Sequence, residues 1–181
     1  AHHLETVLYA AQRLRNYPHI VLLLAGDGAE RRRLLALREE LGVTNVLMLE
    51  QQPKEQMPWV WALADVSLIL LKKSAVFKTV IPSKIFESMA MEKPIILGVE
   101  GESAELLRAA DAGYCIEPEN DRELATRLIE LHTDKALCQK FGTNGRVHVT
   151  NYYDRIQLAS RFMELLEATH NEKCRHMRSH L

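Results

Sequence analysis

Two hydrophobic rhythms alternate along the first two-thirds of the chain. Short runs rich in leucine and branched side chains occupy residues 19–25 (HIVLLLA), 45–49 (NVLML), 66–71 (VSLILL), 94–99 (PIILGV) and 113–116 (GYCI). They are apolar at nearly every position rather than every second one, as strands covered on both faces of a parallel sheet are. Between them, segments 4–14, 30–41, 55–64, 83–91 and 103–110 are amphipathic at helical spacing. This alternation predicts right-handed βαβ units and the α/β class, an open parallel sheet flanked by helices. After Pro118 the strands stop. Asn120 and Glu123 fit a capping box opening a helix over 122–132, and further helices are predicted near 135–150 and over 155–169. The stretch 171–181 has no clear period and is expected to fray.

Two features predict that the chain is part of something longer. The helix at 4–14 has no strand before it, although a βαβ unit needs one. The last helix carries a broad apolar set, Ile156, Leu158, Ala159, Phe162, Leu165 and Leu166, some of it suited to a partner domain.

Composition narrows the function classes. The chain has 181 residues, 47% hydrophobic and 26% charged, the ordinary mixture of a globular protein. With 23 basic and 24 acidic side chains the net charge is -1, so no global attraction to nucleic acid or anionic lipid is expected. Cys115, Cys138 and Cys174 lack metal-ligand spacing and read as reduced cytoplasmic thiols. The scattered histidines form no metal motif, and no cofactor or metal is expected. No apolar run approaches the roughly 20 residues needed to span a bilayer.

Of the local motifs, AGDGAE is the weaker. Gly26 and Gly28 have dinucleotide-loop spacing, but Arg31 stands where a third glycine belongs, and a tight strand-to-helix turn is the plainer reading. Arg31, Arg32 and Arg33 are expected on a solvated face, and Trp59 and Trp61 in packing. The stronger segment is 77–97, FKTVIPSKIFESMAMEKPIIL. It follows a buried strand and enters a helix where open α/β sheets hold their ligands. Pro82 stands beside the helix start and Ser83 is a plausible N-cap. Free N–H groups there, with the Lys84 cation, suit a phosphate. Ile85, Phe86, Met89 and Ala90 form the core stripe, while Lys84 and Glu87 share the other face. A carboxylate at Glu87 can accept two vicinal hydroxyls, such as those of a ribose; an exposed Lys–Glu pair of little value is the alternative.

In order, these motifs resemble the carboxyl-terminal, nucleotide-sugar-binding domain of retaining glycosyltransferases of family 4 (group 1), which have the GT-B fold. AHHLETVLYAAQRL is similar to that family's first helix after its glycine-rich loop. HIVLLLAGDGAERRRLLALREELGVTNVLML resembles its strand, GDG turn, long helix and next strand, and PSKIFESMAMEKPII its donor-site helix and following strand. AGYCIEPENDRELATRLIEL resembles the closing strand and acidic-start helix, and FGTNGRVHV with the last helix the tail that crosses back to the amino-terminal domain.

The resemblance implies a Rossmann-like donor-binding domain over 1–150, a crossover helix over 151–170 and a disordered tail over 171–181. Glu87 matches the second glutamate of the family's paired motif, which holds the ribose hydroxyls. The backbone of Val80, Ile81, Pro82 and Ser83 matches the turn that receives the diphosphate and sugar, with Lys84 near the diphosphate as the catalytic cation. Leu49, Glu50 and Gln51 match the loop whose backbone reads the nucleobase edge. Thr79 stands where the first glutamate belongs, and the PSK segment resembles a subgroup from bacterial exopolysaccharide and O-antigen assembly. Glu92 replaces a customary glycine in the following turn.

The implied reaction moves a sugar from a nucleotide diphosphate sugar, UDP-linked, to a hydroxyl acceptor with retention. The implied partners are that donor and an amino-terminal acceptor-binding domain, without which the chain is expected to transfer nothing. The implied location is the cytoplasm or the inner face of the bacterial plasma membrane, with peripheral membrane association of the whole protein left open. A UDP-sugar 2-epimerase of the same architecture and a non-catalytic docking module stand as alternatives. A Rossmann-like sheet places its first strand centrally, so a gap is expected between the strands at 19–25 and 66–71 unless another segment fills it.

Overall fold

The structure, a computed structural model, describes residues 1–178, with side chains as far as His170. Each of the five apolar runs contains a strand: β1 (Leu22–Ala25), β2 (Val46–Leu49), β3 (Ser67–Leu70), β4 (Ile95–Gly98) and β5 (Gly113–Cys115). The helices are α1 (Glu5–Arg13), α2 (Arg31–Leu41), α3 (Met57–Leu63), α4 (Lys84–Ala90), α5 (Glu102–Ala110), α6 (Asp121–Thr133), α7 (Lys135–Tyr152) and α8 (Arg155–Arg178). Two 3-10 turns, Lys54–Gln56 and Ala75–Thr79, precede α3 and α4, and the second has no counterpart in the sequence pattern. Helix α8 also continues past residue 169, so the segment 171–178 is helical; residues 179–181 lie outside the described residues.

All strand pairs are parallel, but the strands do not form one sheet. β1 pairs with β2, Leu22 opposite Val46. Separately, β3, β4 and β5 pair in that order, with Ser67 opposite Ile95 and Ile95 opposite Gly113. Among the described residues no ladder joins β1 to β3, so the break falls where the missing central strand was expected. The Ala1 carbonyl accepts from Lys72 N–H at 2.8 Å, and the His2 ring bonds the Leu70 carbonyl at 3.1 Å. The first residues thus lie beside the carboxyl end of β3.

Side-chain packing joins the two sheets instead. One core cluster combines Leu22 and Val46 with Leu70 and Ile96, through Leu8 of α1, Leu14 at its end, and Leu124, Leu128 and Leu131 of α6. A second cluster sits on the other face of the three-stranded sheet, where Ile69, Ile95 and Leu97 meet Ile85 and Met89 of α4 and Leu107 of α5. β4 is buried at every position, as a central strand should be. Burying one such leucine or isoleucine stabilises the fold by roughly 1.5–3 kcal/mol.

Helix α7 closes the three-stranded half against the ends of α4 and α5. Gly142 lies against the Glu92 carbonyl so closely that a Cβ would overlap it. Asn144 donates to the Asp111 carbonyl at 3.0 Å and Arg146 to the Ala90 carbonyl. Glu92 keeps the left-handed conformation, φ 54°, despite its side chain. The Asn120 cap forms in part: its side chain accepts from Glu123 N–H at 3.0 Å, while the Glu123 carboxylate accepts from Glu117 N–H at 3.1 Å and from the Asn120 side-chain amide at 3.5 Å rather than from the Asn120 N–H. Helix α3 departs most from expectation. It buries none of its residues, and Trp59 is 73% exposed, so that ring is not a packing residue in this chain. No helix among the described residues is long and apolar enough to cross a membrane.

Candidate functional site

The segment from Thr79 to Glu87 forms a continuous exposed turn and helix start beyond β3. Thr79 ends the 3-10 turn, and Val80, Ile81, Ser83, Lys84 and Glu87 are exposed while Pro82 is half-buried. The N–H groups of this turn are unequal. Val80 N–H is taken by the Phe77 carbonyl at 3.4 Å, and proline has none to give. The N–H groups of Ile81, Ser83 and Lys84 meet no acceptor among the described residues. Three donors without an acceptor therefore stand in the turn where an anion was expected, and two of the four turn positions, Val80 and Pro82, do not contribute.

The structure corrects Ser83 as well. It already has helical dihedrals and makes no capping bond. Its hydroxyl donates instead to Glu87 Oε1 at 3.4 Å. Lys84 forms no ion pair with Glu87 or any other carboxylate among the described residues, so the bland surface pair is absent. The cation and the carboxylate both remain available. Helix α4 has only seven residues, so its macrodipole is short and the loop donors and Lys84 count for more than the helix end. What fixes α4 is buried: Ser88 Oγ lies 2.7 Å from Ser67 Oγ on β3 and donates to the Lys84 carbonyl at 2.6 Å.

Leu49, Glu50 and Gln51 stand at the carboxyl end of β2 and are exposed. The Leu49 carbonyl accepts from Gly26 N–H at 3.2 Å and from the Arg31 guanidinium at 3.3 Å. Gln52 donates back to the Glu50 carbonyl at 3.0 Å, tightening the loop. Arg31 also reaches the Gly26 carbonyl at 3.4 Å, so it spans the loops after β1 and β2 rather than lying on a solvated face. Arg33 behaves otherwise, pairing with Glu5 and Glu30. No hydrogen bond or ion pair among the described residues joins the 49–51 loop to the 79–87 segment.

Three contributors escaped the sequence reading: Arg31, Gly101 and Ser103. Gly101 (φ 76°) lies against the Lys78 carbonyl. Ser103 donates to the Val80 carbonyl at 2.6 Å. Gly101 at the N-cap is a local signal of a helix start, and nothing local says that the Ser103 hydroxyl serves another loop.

Beyond the strand ends of this open parallel α/β half, where such folds hold their ligands, stand three N–H groups without an acceptor, a lysine without an ion pair and an exposed carboxylate. The chain matches the model of the glycosyl transferases group 1 family over residues 2–148 and belongs to that family. It is similar to the Escherichia coli K12 protein WcaI, named for glycosyl transfer in colanic acid biosynthesis, with 24% identity over 163 residues, 88% of this chain and 39% of the relative. The chain therefore spans well under half of that relative's length. Among solved structures it resembles the carboxyl-terminal domain of the group 1 protein LpcC from Francisella tularensis (TM-score 0.70, 21% identity, 83% of this chain and 79% of that one). It also resembles HepE of Anabaena, solved with UDP and glucose (TM-score 0.75, 19% identity, 91% of this chain and 44% of that one). At such identities the likeness shows the fold, which is that of one half of a GT-B glycosyltransferase.

Proposed function

We propose that this chain is the donor-binding half of a glycosyltransferase that moves a sugar from a nucleotide diphosphate sugar to a hydroxyl acceptor with retention, in bacterial polysaccharide or lipopolysaccharide synthesis. The observation that carries the reading is the set of free N–H groups at Ile81, Ser83 and Lys84 beside an unpaired lysine and Glu87, in a chain of this family. The diphosphate lies against those donors. As the bond to the sugar breaks, negative charge grows on the leaving diphosphate, and oriented N–H groups with the Lys84 ammonium stabilise it without having to reorganise. Glu87 accepts the ribose hydroxyls, and its position within one turn of Lys84 sets the spacing between ribose and phosphate. Backbone groups of Glu50 and Gln51 meet the base. The bound UDP of HepE supports a uridine donor.

The acceptor and its binding surface belong to an amino-terminal domain, and the whole protein works in the cytoplasm or at the inner face of the plasma membrane. The first test is a titration of the purified chain with UDP, GDP and ADP by ligand-observed NMR. One diphosphate should bind, and Glu87→Ala and Lys84→Ala should each weaken it about tenfold, the loss of one charge-assisted contact. Binding that neither substitution changes, or silence toward all three nucleotides, would move the reading to a docking module.

A further inference from the structure

Three successive contacts hold the donor turn against the start of α5. Lys78 Nζ pairs with Glu100 at 3.1 Å. The Lys78 carbonyl packs against Gly101, where a Cβ would overlap it and where φ is 76°. The Val80 carbonyl accepts from Ser103 Oγ at 2.6 Å. Ser103 is 0% exposed, although serine is seldom fully buried. Ser103 is the second residue of α5, whose N-cap is Gly101, so its hydroxyl is not placed to cap the helix. Here the hydroxyl proton goes outward to a different segment, and α5 has no side-chain cap of its own. The bond therefore does nothing for α5 that its sequence position would explain.

It does fix one peptide plane. The carbonyl and the next N–H of a trans peptide point in opposite directions. With the Val80 carbonyl turned inward to Ser103, the Ile81 N–H is turned outward, and it is one of the three free donors of the turn. We propose that Ser103 is a positioning residue for the diphosphate: it touches no ligand but aims the Ile81 N–H, and Gly101 permits the close approach that brings the turn within its reach. This rests on the donor-site reading given above.

The experiment compares UDP with uridine on the 181-residue chain and on Ser103→Ala, with ¹H–¹⁵N spectra recorded alongside. Ser103→Cys, which keeps the volume and a weak donor, is the second variant. Ser103→Ala should weaken UDP about tenfold, as the loss of one oriented hydrogen bond does, and leave uridine unchanged. Its Ile81 and Ser83 amide signals should move while those of β1 and β2 stay, and Ser103→Cys should fall between. Equal losses for UDP and uridine would reduce Ser103 to a general stabiliser, and unchanged UDP binding would remove the positioning role altogether. If the unsubstituted chain bound UDP, GDP and ADP not at all, the donor-site reading would fail and the positioning role with it. Failure of the inference alone shows as UDP binding that survives Ser103→Ala.

Discussion

Gly26 and Gly28, after β1, would meet nothing within 4 Å if each carried a Cβ, whereas Gly101 and Gly142 in the β3–β5 half lie against backbone carbonyls. The strands differ in the same direction. β4 is buried throughout, while in β2 Leu47 is 50% exposed. The half that bears the donor turn is the one built to close tolerance. The glycines that attract notice as a motif stand in the looser half. A pattern search finds residues that look special, and packing decides which ones are.

Matched substitutions in the two halves should separate sharply. Leu97→Ala, in the core of β4, should cost about 3 kcal/mol in urea unfolding, against less than about 1 kcal/mol for half-exposed Leu47→Ala. Equal costs would mean that the two sheets are equally loose. Gly142→Ala drives a methyl into the Glu92 carbonyl and should cost about 2 kcal/mol by the same measurement, while Gly28→Ala should stay within about 0.5 kcal/mol. The smallest contrast is electrostatic. Arg127 donates to both oxygens of Glu130, at 3.1 and 2.8 Å, and holds that carboxyl below its ordinary value of 4.5. A depressed carboxyl stabilises the fold above the unfolded value and loses that contribution as pH falls through the folded one. Both side chains are about a third exposed, so screening leaves Glu130→Gln a cost of about 0.5 kcal/mol at neutral pH. That cost should vanish in acid, and a constant difference from pH 7 to pH 3 would assign it to packing instead.

The alternation of buried runs and one-sided helices was legible because parallel strands and amphipathic helices write their periods into the sequence. Each run contains its strand, and the gap expected between the strands at 19–25 and 66–71 is found between β1 and β3. Lys84 and Glu87 were legible as a pair on one face, and both are exposed there. Ser83 misled because a good N-cap residue type says nothing of where its own dihedrals fall. Trp59 misled because aromatic size argues for burial only where a surface exists to bury it, and α3 finds none. The Ser103–Val80 and Ser67–Ser88 bonds were invisible, since each joins segments that are distant in sequence.

The division into two sheets also bears on the size of what the chain can hold. The loop at 49–51 stands on the end of β2, and the turn at 80–83 follows β3, so the two belong to different sheets. A hydrogen-bonded ladder would set the distance between them in fixed steps of register. Here no ladder joins the sheets, and the apolar contacts of α1 and α6 hold them together instead. Leu8 and Leu14, packed in one cluster with Leu124 and Leu128, thus stand as the spacer that sets one sheet, and the loop on its end, relative to the other. A change of side-chain volume there is expected to shift one sheet against the other while every residue of the two loops stays the same.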